Sequence, residues 1–254
     1  MIEEYYRPKT LTEALEILQK KGSAAKILAG GTSLRKWGES IKTVVDLQSI
    51  GFDQIAYRQT DTVIGAMVTL DQFAHLNTIP SALRQAIELQ ASFNQRQIAT
   101  VAGSLLTANG RSTFATAMLA LNARLHSFPS QKEFSYGDVL ALSSNTLAGE
   151  IVTEILIPTQ VQLAFEYVAR TPADLPLVCV ALARWNSGRL RLALGGWGKT
   201  PMLVLDGVGK QEVALAARSA YSQAVDEWAS ASYRSEIAAL LAQRCLNTLD
   251  GYLE

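Results

Sequence analysis

Gly30-Gly31-Thr32-Ser33 is the stretch of this chain best suited to hold an anion. It follows the apolar run Lys26-Ile27-Leu28-Ala29, so the loop leaves the end of a short buried strand. Consecutive glycines reach backbone conformations closed to other residues and let a ligand approach the amides. Several N–H groups pointing one way form an anion nest, and Thr32 and Ser33 add hydroxyl donors, a set suited to a phosphate or pyrophosphate. On spacing alone a tight turn between strand and helix is the commoner use of such a loop. It is neither a Walker loop nor a Gly-x-Gly-x-x-Gly fingerprint. A second small-residue loop, Thr100-Val101-Ala102-Gly103-Ser104, fits close approach to a ligand, or, standing alone, packing.

Little else in the chain could do chemistry. His75 and His126 are its only histidines, far apart and without a spaced set of acids, so neither a metal site nor a catalytic triad is supported. Cys179 and Cys245 each sit in an apolar stretch and read as buried free thiols. Two cysteines cannot supply the four thiolates an iron–sulfur cluster normally needs. Trp37, Trp185, Trp197 and Trp228 read as packing or interface residues.

Helices and strands must position the two loops. Thr10 followed by Glu13 is a capping-box pattern opening a helix with Leu11, Ala14, Leu15 and Leu18 on one face, and Gly22 is its expected stop. Residues 44–47, 62–66 and 151–157 read as strands. Residues 70–75, 81–89 and 113–123 read as helices, and 127–133 as a turn or exposed loop. Beyond Pro158 the pattern changes to strands at 165–169, 177–185 and 190–194. The last two are joined by Asn186-Ser187-Gly188, a hairpin signal. From about residue 210 the pattern is helical, with a helix over 233–249. A domain boundary is expected near Thr159, followed by a small antiparallel sheet with helices on one side.

The bulk numbers agree with a folded chain. Of 254 residues, 48% are hydrophobic and 18% charged, which excludes disorder. Lys plus Arg and Asp plus Glu are both 23, so no net field draws nucleic acid or an anionic membrane. No apolar run reaches the ~18–20 residues of a membrane span. The opening Met1-Ile2-Glu3-Glu4-Tyr5-Tyr6 lacks the basic and apolar regions of a signal peptide, and a cytoplasmic location is expected.

Taken together, in order, the motifs resemble one family. Ile27-Leu28-Ala29-Gly30-Gly31-Thr32-Ser33-Leu34 is similar to the first FAD-binding motif of the flavoprotein (medium) subunits of molybdenum hydroxylases, the carbon monoxide dehydrogenase and xanthine dehydrogenase type. Arg96-Gln97-Ile98-Ala99-Thr100-Val101-Ala102-Gly103-Ser104 resembles the second motif, Arg-Asn-x-Ala-Thr-Ile-Gly-Gly-Asn. Ile64-Gly65-Ala66-Met67-Val68-Thr69-Leu70 is similar to the segment between them. Tyr5-Tyr6-Arg7-Pro8 and Thr12-Glu13-Ala14 fit the family's opening. Tyr167-Val168-Ala169-Arg170, Ala173-Asp174-Leu175, Leu194-Gly195-Gly196-Trp197-Gly198-Lys199-Thr200-Pro201 and Ser232-Tyr233-Arg234 resemble its C-terminal domain.

The resemblance implies an α+β fold. A two-lobed FAD-binding domain of the vanillyl-alcohol-oxidase/para-cresol-methylhydroxylase type would span residues 1–158, with lobes at about 1–56 and 57–158. A small C-terminal domain of antiparallel sheet plus helices would span 159–254. FAD would contact Ile27, Leu28, Ala29, Gly30, Gly31, Thr32, Ser33, Leu34, Thr100, Ala102, Gly103, Ser104, Thr113, Val152 and Tyr167. No catalytic residue and no metal ligand is implied on this chain. It would relay electrons from an iron–sulfur subunit to an external acceptor, beside a molybdenum-cofactor subunit, in a dimer of heterotrimers. A structural subunit of the same fold that has lost FAD is the alternative, and a stand-alone FAD oxidase ranks last. Ala102, Ser104 and Thr113 stand where the family has Gly, Asn and Asp. Restoring the last two, Ser104→Asn with Thr113→Asp, is expected to tighten flavin binding.

Overall fold

Strand β1 (Glu4–Tyr6) leads to Thr10, whose hydroxyl accepts the Glu13 amide at 3.2 Å and opens helix α1 (Leu11–Lys21). The Glu13 carboxylate accepts the Lys9 amide at 2.9 Å, so the reciprocal bond falls one residue before Thr10. Gly22, at φ +56°, ends the helix. The chain continues through β2 (Ala25–Leu28), β3 (Thr43–Asp46), β4 (Ile55–Tyr57), β5 (Asp61–Gly65), α2 (Leu70–Ala74), α3 (Ser81–Gln90), α4 (Phe93–Arg96), α5 (Val101–Leu106) and α6 (Thr113–Ala120). Then follow β6 (Arg124–Phe128), β7 (Glu133–Ser135), α7 (Tyr136–Leu142), β8 (Ile151–Pro158), β9 (Val161–Val168), β10 (Val178–Trp185), β11 (Leu190–Gly195), β12 (Met202–Gly207), α8 (Val213–Ala220) and α9 (Ala231–Gly251). This computed structural model describes residues 2–33, 40–142 and 147–251. Leu34 and Trp37 lie outside them.

Two compact units share the chain. The first takes residues 1–75, 93–107 and 124–156, the second residues 76–92, 108–123 and 157–254. Along the sequence the segments of the two units alternate. The reason lies in α3 and α6, which pack on each other and on strands of the C-terminal sheet.

In the first unit, β1, β3 and β2 form a parallel sheet in that order, and β4-β5-β8-β6-β7 form a second sheet. Ala14 of α1 packs on Val45, Leu47 and Ile151. The expected loop over 127–133 is narrower. Residues 124–128 and 133–135 pair as antiparallel strands, and Ser127 is fully buried, donating to the Glu150 carboxylate at 2.7 Å.

In the second unit β12-β11-β10-β9 form an antiparallel sheet. The connection at Asn186-Ser187-Gly188 is the expected hairpin, with Arg184 opposite Leu190. Strand β12 falls between the strands and helices that the sequence pattern indicates. Helices on one side alone are not what is found. One face of the sheet, with Val178, Val180, Leu182, Leu192 and Leu194, packs on α8 and α9. The other face meets α6, where Cys179 Sγ lies 3.6 Å from Thr116 Oγ1 and Arg191 donates to the Leu119 carbonyl at 3.2 Å. The unbroken apolar run of β10, buried at every residue but Trp185, is what a strand covered on both faces requires.

Cys179 and Cys245 are buried free thiols. Burial pushes the Cys179 thiol up to about 12 and the Cys245 thiol up as well. Neither should react with Ellman's reagent in the native protein, and both should react in denaturant. Stoichiometric native labelling at neutral pH would contradict this burial.

Candidate functional site

The first unit holds a cleft of about 540 Å³, within the ~300–1,000 Å³ usual for small-molecule sites. Its construction starts at β2, which pairs in parallel with β3 and brings Leu28 opposite Asp46. The Leu28 carbonyl accepts the Leu47 amide at 3.1 Å, and the chain then turns through Gly30 and Gly31. Both glycines are required, for different reasons. A Cβ on Gly30 would lie 1.8 Å from the Ile98 carbonyl oxygen, so only glycine allows the first loop to touch the turn leading to Thr100. Gly31 has φ +70°, in the left-handed region.

The second loop is a helix start. The Leu70 amide donates to the Ala99 carbonyl and the Val101 amide to the Val68 carbonyl, each at 2.8 Å. The segment Ile64–Leu70 therefore fixes Thr100 in place. Thr100 caps α5 by accepting the Gly103 amide at 3.1 Å, and the Ser104 amide donates to the Thr100 carbonyl at 2.9 Å. Fully buried Tyr136 donates to the Leu105 carbonyl at 3.0 Å and pins the far turn of the helix. The two loops are tied again at their far ends. Ser33 Oγ donates to Thr107 Oγ1 at 3.1 Å, and Thr107 Oγ1 donates to the Gly103 carbonyl at 2.8 Å.

These bonds decide which amides are free for a ligand. Among the described residues none accepts from the amides of Gly30, Gly31, Thr32, Ser33 or Ala102. The Gly103 amide is engaged by Thr100, so it is not the free donor that the loop pattern suggests. Ala102 lies in the helix with φ negative, and its methyl group introduces no strain there.

Of the residues expected at a cofactor, Ile27, Leu28, Ala29, Gly30, Gly31, Thr32, Ser33, Thr100, Ala102, Gly103 and Val152 line this cleft. Leu34 lies outside the described residues. Ser104 is half-buried on α5 and does not line the cleft. Tyr167 belongs to β9 in the second unit, where it stacks on Phe165 with ring centres 6.3 Å apart. Thr113 does not line this cleft. It is 0% exposed in the second unit, and its hydroxyl donates to the Ala86 carbonyl at 2.7 Å.

Residues missed by sequence reading supply much of the wall. Leu15, Leu18 and Gln19 come from α1, Met67 from the turn before α2, Glu150 from the residue before β8 and Ile151 from its start. Leu15 and Leu18 belong to the apolar stripe of α1, and nothing in the sequence separates them from ordinary core positions; the structure leaves both half-buried at the cleft. The result is a cluster of neutral amide donors at one end of an apolar cleft. Glu150 accepts from Ser127 and, at 3.4 Å, from the Ser130 amide, and among the described residues no nucleophile–base pair lines the walls. Among the described residues no group of His, Cys, Asp or Glu could hold a metal ion.

A cleft of this make-up can take a ligand that joins an anionic group to an apolar body. Residues 1–160 match the family described as FAD binding domain in molybdopterin dehydrogenase, and the chain belongs to that family. FAD is the cofactor that this membership assigns. The chain is 29% identical to the YgfM protein of Escherichia coli (strain K12), over 77% of this chain and 75% of that one. It is 26% identical to the carbon monoxide dehydrogenase medium chain of Afipia carboxidovorans, over 96% and 95% of the two chains. Its fold is similar to that of a chain in the reconstituted CO dehydrogenase from Oligotropha carboxidovorans, with a TM-score of 0.84 and 25% identity, covering 97% of each.

Proposed function

We propose that the chain is the FAD-carrying electron-transfer subunit of a molybdenum hydroxylase. Residues 1–158 would form the two-lobed domain of the vanillyl-alcohol-oxidase type, with lobes at 1–56 and 57–158, and residues 159–254 the C-terminal domain. The amides of Gly30, Gly31, Thr32, Ser33 and Ala102 would hold the pyrophosphate. Leu15, Leu18, Ile27, Met67 and Val152 would exclude water from the apolar parts of the cofactor. Bound FAD supplies a ring that accepts and releases electrons. This chain's residues would bind and orient it. Electrons would arrive from an iron–sulfur subunit and leave to an external acceptor, with substrate oxidised on a molybdenum-cofactor subunit, in a cytoplasmic dimer of heterotrimers.

The observation that carries this reading is the double tie between the loops, Gly30 against Ile98 and Ser33 to Thr107, which leaves one set of amides facing one cleft. The names of relatives support the assembly. Among the described residues no helix is long and apolar enough to cross a membrane. Purification from the native source tests both parts. The expected result is one FAD per chain in a gel-filtration peak that also carries iron and molybdenum. A colourless chain that takes up no added FAD would replace this reading by a structural subunit that has lost the cofactor.

A further inference from the structure

Asp226, in the second unit, collects cations from two directions. Arg234, in the first turn of α9, is fully buried, and its Nη2 donates to the two Asp226 oxygens at 2.8 and 2.9 Å. Arg111, in the turn before α6, places Nη2 3.5 Å from Asp226 Oδ2, while its Nε donates to the Gly196 carbonyl at 3.3 Å. Two guanidiniums thus share one carboxylate, and the local charge is one unit positive. Arg170 does not change this balance, because Asp174 pairs with it at 3.4 Å.

The donors are also in excess. Among the described residues none accepts a hydrogen bond from Arg111 Nη2, Arg234 Nε or Arg234 Nη1, and all three atoms are buried. An unmatched donor on a charged group costs more than a neutral one, and buried charge is ordinarily compensated. One negative charge with acceptor capacity would answer both deficits. Its size is limited by the burial of all three donors. Its charge is limited by Asp226, which repels a dianion. Access is available at the rim, where the Arg111 side chain is 21% exposed beside the half-exposed ring of Trp228, 5.2 Å from the guanidinium carbon.

We propose that Arg111 and Arg234 form a binding site for a small inorganic monoanion of the chloride class, seated beside Asp226. All of its residues belong to the second unit, so the site does not rest on the flavin reading. The test is thermal unfolding of the full chain at fixed ionic strength, with chloride replaced stepwise by gluconate. A saturable rise in Tm of about 2–8 °C with chloride is expected for a site occupied well above its Kd. Arg111→Met keeps the stem over Trp228 and should abolish that rise. Arg111→Lys should keep part of it, and Arg189→Gln, on the separate Asp206 pair, should keep all of it. Chloride NMR line width should show excess broadening with the native chain and none with Arg111→Met. Equal Tm in both salts, or a chloride response undiminished in Arg111→Met, would overturn the site.

Discussion

Gly30→Val should reduce retained flavin at least tenfold, the largest loss expected from any single change in the cleft. A Cβ there meets the Ile98 carbonyl oxygen at 1.8 Å and the Ile98 carbonyl carbon at 2.7 Å. Both are main-chain atoms held by neighbouring hydrogen bonds, since the Ile98 and Ala99 amides donate to the Gln95 carbonyl at 3.2 and 2.8 Å. Neither loop can yield without separating from the other. Separation would spread the amide set of Gly30–Ser33 away from Ala102, and a pyrophosphate could no longer meet both.

Graded variants separate loop geometry from general damage. Gly31→Ala must adopt φ near +70°, a strain of about 1–2 kcal/mol, and should weaken binding roughly tenfold. Ser33→Ala removes only the bond to Thr107, worth about 0.5–1.5 kcal/mol, and should weaken it about two- to tenfold. Flavin titration of each variant, with circular dichroism to confirm folding, gives the order. Full flavin content in a folded Gly30→Val chain would show that the cofactor does not depend on the junction of the two loops.

How much of this site the sequence carried depends on whether the signal is local. Gly30-Gly31 after an apolar strand is a local signal, and so is Thr10 before α1. Partnership between residues 30–33 and 100–104 came only from their resemblance to a known ordered pair of motifs, because nothing within either loop specifies the other. Helix α5 was hidden by composition. Gly103 and Ser104 are poor helix formers, and the turn persists through the Thr100 cap, the Thr107 hydroxyl and the Tyr136 bond. The continuous apolar run of β10 was compatible with cover on both faces, but the expectation of helices on one side missed α6, which lies some sixty residues earlier in the chain. Thr113 shows the remaining limit. Alignment with a family aspartate says which position corresponds, whereas burial and the direction of the hydroxyl are set by α3 across the helix pair.

Thr113→Asp is therefore expected to destabilise the protein at neutral pH and to bring no gain in flavin affinity, contrary to the sequence-based expectation. The Thr113 hydroxyl is a donor in a pocket of acceptors. It donates to the Ala86 carbonyl at 2.7 Å, with Gln90 Oε1 3.5 Å away and already accepting the Phe114 amide at 3.2 Å. A carboxylate at this position would face the two oxygens that now accept from the hydroxyl. An uncompensated buried charge costs about 3–5 kcal/mol, or roughly 6–20 °C in Tm for a chain of this size. The same argument fixes the pH dependence. Burial beside these oxygens raises the carboxyl pKa in the folded state above the unfolded value of about 3.9. The folded state then binds more protons than the unfolded one, so the variant loses stability relative to the native chain as pH rises. Near pH ~4 and below, a protonated carboxyl can donate to Ala86 and most of the deficit should vanish. Thr113→Val removes the donor without adding charge and should cost about 1–3 kcal/mol at every pH. Urea unfolding of the three chains at two pH values, with flavin titration of each, reads all of these quantities. Undiminished stability at neutral pH together with tighter FAD binding in Thr113→Asp would mean that this side chain faces the cofactor after all.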